Sequence, residues 1–145
     1  METTNSLEEI ENHEDPIVMY LVVRESLGMG VGKTAAQCAH ATQILTLNYI
    51  RELADDAESI LDGTNTIGLN SELLIFKNWL NSSFRKVVLR ADDKEWEKLK
   101  QLPNHVLVVD SGKTEIAPGS ETCIGFWPML KSERPKLLTR LQALK

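Results

Sequence analysis

The sequence predicts an α/β domain in which a short mixed β-sheet carries helices on both faces. Three observations predict it. Ile17 to Arg24 (IVMYLVVR) is an almost continuous apolar, β-branched run, the pattern of a central strand buried on both sides. A glycine-rich turn and a long helical pattern follow it directly. Helical segments also separate the later strands, which implies parallel crossovers. The last two strands are joined only by a loop of about a dozen residues, compatible with an antiparallel pair.

Taken in order, the turn after the first strand is Leu27-Gly28-Met29-Gly30-Val31-Gly32, and Lys33 to about Leu53 reads as one long helix. Ala35, Ala36, Ala39 and Ala41 open that helix and let it pack close to the sheet; Ile44, Leu45, Leu47, Ile50 and Leu53 continue its apolar side. Ala54 to Leu69 is acidic, then rich in Gly, Thr and Asn, and reads as a loop. Asn70 or Ser71 caps a short helix carrying Leu73, Leu74, Phe76, Trp79 and Leu80. A second strand lies between Phe84 and Ala91 (RKVVLRA). Asp92 with Glu95 three residues on has the form of a capping box for a helix over Trp96 and Leu99, which Pro103 and Asn104 end. His105 to Asp110 is a third strand and Thr122 to Trp127 a fourth. Ser132 with Pro135 opens a last helix through Leu137, Leu138, Leu141 and Leu144.

Composition bounds the class. The 145 residues suffice for one domain with its own core, 42% hydrophobic and 26% charged, without internal repeats or a linker. No apolar run approaches the roughly 18 residues that a membrane span needs, so no membrane partner is expected. The segment METTNSLEEIENHEDP has neither the basic nor the apolar region of a signal peptide, and a cytoplasmic location is expected. Cys38 and Cys123 sit in apolar segments without a spacing partner and read as buried thiols of a reducing compartment. The net charge of −5 is concentrated at the start: residues 1–15 hold six acidic groups and no Lys or Arg. That stretch reads as an acidic, unstructured extension before a nearly neutral domain over residues 16–145.

Gly32-Lys33-Thr34, between a buried strand and a helix, invites a phosphate-loop reading, and Val106 to Asp110 resembles a strand ending in a magnesium-binding Asp. The phosphate-loop pattern needs Gly five residues before Gly32, where this chain has Leu27; Gly28 stands one residue out of place. A different reading uses the same residues. Ligands of open α/β sheets gather beyond the carboxyl ends of the strands. If strands one and three are parallel neighbours, Lys33 and Asp110 converge at that edge, with Thr114 in the turn just after. A carboxylate that orients or deprotonates water, a cation that stabilises an oxyanion and a hydroxyl are suitable parts for ester hydrolysis. Taken alone, a Lys–Asp pair beside a turn is more often a surface salt bridge.

Longer segments add specificity. YLVVRESLGMGVGKTAAQCAHA (20–41), RKVVLRA (85–91) and VVDSGKTEIAPGSETCIGFWP (108–128) resemble the three signature blocks of the type-2 peptidyl-tRNA hydrolase family. The first is similar to its V-V-R…M-G-K-G-K-x-A-A-Q-x-x-H-A and the third to its D-A-G-x-T-x-I-x-P-G-x-x-T-x-x-G. The resemblance implies a three-layer α/β/α domain around a four-stranded mixed sheet, and a tendency to form homodimers. It implies hydrolysis of the ester joining a peptide to the 3′ ribose of tRNA, with peptidyl-tRNA as partner and no cofactor; no His/Cys/carboxylate cluster has metal-ligand spacing, so no metal is expected. On the matching positions, Lys33, Asp110 and Thr114 are the implied catalytic set; Gln37 and His40 are further motif residues on the first helix, and Thr122 is a polar residue near the site. Candidate tRNA contacts are Arg24, Lys33, Arg85, Lys86, Arg90 and Lys113, although alternation along a strand keeps Arg85 and Lys86 from facing one groove.

The chain departs from the family where Val31 replaces a Lys, Ser111 an Ala, Ser83-Phe84 a Gly-Gln pair, and Gly125 to Leu130 a G-x-G-P-A-P end. Val31 and the altered end of strand four motivate the alternative of a non-catalytic relative that binds RNA or protein. Trp79 and Trp96, at helical spacing, read as core; Trp127, beside Pro128, is expected near the site mouth.

Overall fold

A computed structural model describes residues 15–61, 70–111 and 116–145. Strand β1 (Ile17–Arg24) passes through a 3-10 turn (Glu25–Leu27) into helix α1 (Val31–Leu61). Helix α2 (Ser71–Leu80), β2 (Lys86–Ala91), α3 (Asp93–Leu99), β3 (His105–Val109) and β4 (Glu121–Phe126) follow. Strand β5 (Met129–Leu130), a second 3-10 turn (Lys131–Glu133), α4 (Lys136–Thr139) and β6 (Gln142–Ala143) complete the chain.

Two helices start where their cap residues dictate. The Asn70 side chain accepts the Leu73 N–H at 2.9 Å and so satisfies a donor that the first turn of α2 leaves open. At α3, the Asp92 carboxylate accepts the Glu95 N–H at 2.7 Å while the Glu95 carboxylate accepts the Asp92 N–H at 2.9 Å. This reciprocal capping box is the one that the Asp92–Glu95 spacing predicts.

The fold is α/β with a mixed sheet, as expected, but the described residues form six strands rather than four. The order is β3-β4-β1-β2-β6, with β5 pairing the start of β1. Strands β1 and β2 are parallel from Met19 opposite Lys86 to Arg24 opposite Ala91, and β4 runs antiparallel to both β1 and β3. The two extra strands have two residues each and no periodicity of their own. Met129 and Leu130 are extended because they pair with Val18 and Ile17, and Gln142 and Ala143 because they pair with Arg90 and Leu89. Pairing also shortens the expected last helix. It spans only Lys136–Thr139, and the chain then turns so that the Leu144 N–H donates to the Val88 carbonyl at 3.0 Å. Nor are strands one and three neighbours: β4 lies between them. Because β4 opposes both, β1 and β3 still run in one direction and end at the same sheet edge.

The core forms two clusters, and alternate residues of β1 serve each. Ile17, Met19 and Leu21 pack with Ala41, Leu45 and Tyr49 of α1 and with Leu73, Phe76 and Trp79 of α2. Val18, Tyr20 and Val22 pack with Leu89, with Trp96 and Leu99 of α3, and with Leu138 of α4. Trp79 and Trp96 are thus core residues, as their spacing predicts. Gly125 of β4 sets how closely α1 approaches. A Cβ there would lie 3.0 Å from the Ala41 Cβ and 3.1 Å from Leu45 Cδ1, so only glycine fits without displacement.

Candidate active site

The sheet edge where β1 and β3 end is also where α1 begins. Lys33, Gln37 and His40 stand at i, i+4 and i+7 of α1 and so share one helix face. Helix α1 starts two residues before Lys33, at Val31, earlier than the sequence suggests. Asp110 follows β3 directly. Its N–H donates to the Ser120 carbonyl at 2.9 Å, and the Gly119 N–H donates to the Asp110 carbonyl at 2.9 Å. These two bonds close the base of the loop after β3, and Gly119, at φ +82°, takes a backbone conformation there that a side chain would strain.

Lys33 Nζ and Asp110 Oδ1 form an ion pair whose side chains are only 9% and 4% exposed. The surface salt bridge that such a pair more often makes is therefore not what is found. Withdrawing two charges from water costs several kcal/mol per ion, and apolar side chains of similar size are commonly as stable or more so. Folding stability is thus a poor reason for this pair, and chemistry a better one. The pair lies in the wall of an open cavity of about 500 Å3, lined also by Gly32, Ala36, Gln37, His40 and Ser111.

A backbone irregularity completes the arrangement. Val108 pairs with Cys123 and Val109 with Glu121, so Thr122 is an extra residue in β4, a β-bulge. The bulge lets consecutive side chains serve different neighbours. Glu121 accepts from Trp96 Nε1 at 2.9 Å and from Lys100 Nζ at 2.9 Å. Thr122 Oγ1 instead donates to Gln37 Oε1 at 2.5 Å, with the Val108 carbonyl farther off at 3.3 Å. Gln37, Thr122 and Asp110 are 3%, 0% and 6% exposed and are the buried polar residues among those described. They gather at one sheet edge, where the Gln37–Thr122 bond ties α1 to β4. Hydrogen bonds from Lys100 and then Trp96 hold the Glu121 carboxyl below its ordinary range.

The remaining candidates are distributed as follows. His40 is exposed at the cavity, and its ring makes no hydrogen bond among the described residues. Thr114 and Lys113 lie outside the described residues, as does the acidic stretch 1–14. Asp15 is described, and its carboxylate accepts from the Ser132 N–H at 2.8 Å. Arg24 and Arg90 do not line the cavity. Arg24 Nε donates to Asp93 at 3.0 Å and its guanidinium lies 5.9 Å from the Trp96 ring, on the α3 side. Arg90 pairs with Glu25 at 2.9 Å and also donates to Gln142. Arg85 is exposed, and Lys86 sits 5.0 Å over the Trp79 ring.

Trp127 is not at the site mouth. It follows the far end of β4, some 16 Å along the strand from Thr122 at about 3.3 Å per residue. There it packs on Phe76 and Tyr49 and donates from Nε1 to the Glu72 carbonyl at 3.0 Å. Ser111 lines the cavity next to Asp110 without being a candidate by its residue type, and the bulge is not visible in the sequence. Adjacency to Asp110 was the available signal for Ser111. A bulge is a register event between two strands and leaves no mark in either alone.

The family model for peptidyl-tRNA hydrolase PTH2 matches residues 17–144. The chain is similar to peptidyl-tRNA hydrolase 2 of Saccharomyces cerevisiae, 34% identical over 79% of this chain and 51% of that protein. It is 37% identical to the mitochondrial peptidyl-tRNA hydrolase 2 of Bos taurus, over 76% of this chain and 54% of that one. The peptidyl-tRNA hydrolase of Sulfurisphaera tokodaii is 35% identical over 76% of this chain and 84% of its own. The chain therefore spans about half the length of the yeast and bovine relatives.

Proposed function

The chain belongs to the type-2 peptidyl-tRNA hydrolase family, and from that premise we propose that it hydrolyses the ester joining a peptide to the 3′ ribose of tRNA. The observation that carries the proposal is the buried Lys33–Asp110 pair in the wall of a cavity open to solvent. An ester carbonyl seated there meets the three functions that hydrolysis needs. The Asp110 carboxylate orients the attacking water and takes up its proton. The Lys33 ammonium holds that carboxylate in place and favours negative charge developing on the carbonyl oxygen. Thr114, four residues beyond Asp110, supplies a hydroxyl to the water or the carbonyl. Gln37 and Thr122 keep α1 in register with β4, and His40 stands where the substrate enters. No metal or cofactor enters this scheme.

The family implies three further features, proposed with the reaction: helices layered on both faces of the sheet, which the two core clusters support, a homodimer and a cytoplasmic location. Arg24, Arg90 and Lys113 remain proposed tRNA contacts, and Arg24 and Arg90 would have to leave their acidic partners to reach phosphate.

The test is release of free tRNA from N-blocked aminoacyl-tRNA without added metal or nucleotide. Asp110→Asn, shown to be folded by its unfolding transition, is expected to lose about 100-fold to 10,000-fold in turnover, the range for a positioned general base. Near-wild-type turnover in that variant sinks the assignment. No turnover by the folded wild type favours the non-catalytic binding reading, which the replacement of a family Lys by Val31 motivates.

A further inference from the structure

Cys38 follows Gln37 on α1, and Cys123 follows Thr122 on β4. The 2.5 Å bond between Thr122 and Gln37 brings these two stretches together, and both cysteines pack in the same core cluster. The two thiols are close enough to perturb each other's ionisation, while the Cys123 thiol itself donates to the Ile124 carbonyl at 3.8 Å. The sequence offers no such partnership, since 85 residues separate the two.

Their surroundings differ in a way that assigns each a task. Cys38 is half-buried and lines an open cavity of about 450 Å3 shared with Leu21, Thr42, Lys86 and Val88. Cys123 lies behind it at 0% exposure, out of reach of solvent. Its interaction with Cys123 draws the Cys38 thiol below its ordinary range, which raises its thiolate fraction. The same interaction and burial push the Cys123 thiol far up, so it keeps its proton.

We infer that Cys38 and Cys123 are a peroxide-oxidisable pair: Cys38 takes the oxidation from the surface cavity and Cys123 resolves it as a disulfide joining α1 to β4. In the first step the Cys38 sulfur attacks one oxygen of hydrogen peroxide. A sulfur–oxygen bond forms, the oxygen–oxygen bond breaks, and the departing hydroxide leaves as water with the Cys38 thiol proton. In the second step the Cys123 sulfur attacks the sulfur of this sulfenic acid. The disulfide forms, the sulfur–oxygen bond breaks, and hydroxide leaves as water with the Cys123 proton. Two thiols and one peroxide thus give one disulfide and two waters.

The cross-link falls one residue from both ends of the Gln37–Thr122 bond. Bringing two sulfurs from contact to bonding distance draws α1 toward a strand it already meets closely at Gly125. Gln37 and Lys33 then shift against Thr122 and Asp110, and turnover falls about tenfold or more, because misplacement on the scale of an ångström is that costly.

The experiment treats the full chain with hydrogen peroxide and maps its peptides by mass spectrometry with and without dithiothreitol. The expected product is a Cys38–Cys123 cross-linked pair of peptides, lighter by two hydrogens and reversed by the reductant, with turnover lost and regained in parallel. Dimedone is expected to label Cys38 in Cys123→Ala, and Cys38→Ser is expected to show no oxidation at Cys123. Oxidation without a cross-link, or a dimedone adduct absent from Cys38, overturns the pair. A cross-link that leaves turnover unchanged overturns its coupling to the site. The mass readout does not depend on the proposed reaction, so failure of the hydrolase reading is distinguishable from failure of this one.

Discussion

Thr122→Val keeps the shape of a side chain with no solvent exposure and deletes only its hydroxyl. In the wild type that hydroxyl donates to Gln37 Oε1 at 2.5 Å, and Gln37 itself is 3% exposed. Water therefore has little access to replace the lost donor, and Oε1 is left desolvated without it. Such a loss costs about 1–3 kcal/mol, and complete burial at both ends places this case near 2 kcal/mol. For a domain of this size that corresponds to a fall in Tm of about 4–8 °C. Removing both polar ends has a different cost. In Thr122→Val combined with Gln37→Met no acceptor remains to be satisfied, so the double variant is expected to lose less than the sum of the singles, with a coupling of about 1 kcal/mol or more. Urea unfolding of the four proteins measures this, provided that the m-value is unchanged. Strict additivity, or a Thr122→Val protein as stable as wild type, would refute the claim that this bond ties α1 to the bulge. In the tRNA-release assay Thr122→Val is expected to reduce turnover about tenfold, through displacement of Lys33 relative to Asp110.

Gly125→Val adds branched carbon where even a Cβ lies 3.0 Å from Ala41, and should cost about 1–3 kcal/mol by overpacking; an unchanged urea midpoint would show that α1 has slack over β4. Glu121, whose carboxyl is held low by Lys100 and Trp96, contributes stability that is present above its unfolded pKa and lost as pH falls through the folded one. Wild type is therefore expected to lose stability more steeply than Glu121→Gln as acid titration passes below the ordinary glutamate range; parallel curves would remove Glu121 from the account.

Much of this protein was determined locally. The β-branched run of β1, the cap at Asn70 and the Asp92–Glu95 box are short-range statements about which backbone groups need partners, and the chain honours each. The meeting of Lys33 and Asp110 was legible in part: parallel strands one and three put both residues at one sheet edge, but the two strands are not the neighbours that the sequence suggests, because β4 lies between them. Tertiary structure alone decided the rest. Insertion of β4 between β3 and β1 depends on strand pairing and not on any feature of β3 or β1. The two-residue strands and the shortened final helix exist through hydrogen bonds to distant backbone. Arg24 and Arg90, free charges in the sequence, are held by Asp93 and Glu25 from other elements. The bulge at Thr122 and the packing of Cys38 and Cys123 in one core cluster share one cause: periodicity along a chain fixes which face a residue presents, whereas only packing fixes what that face meets.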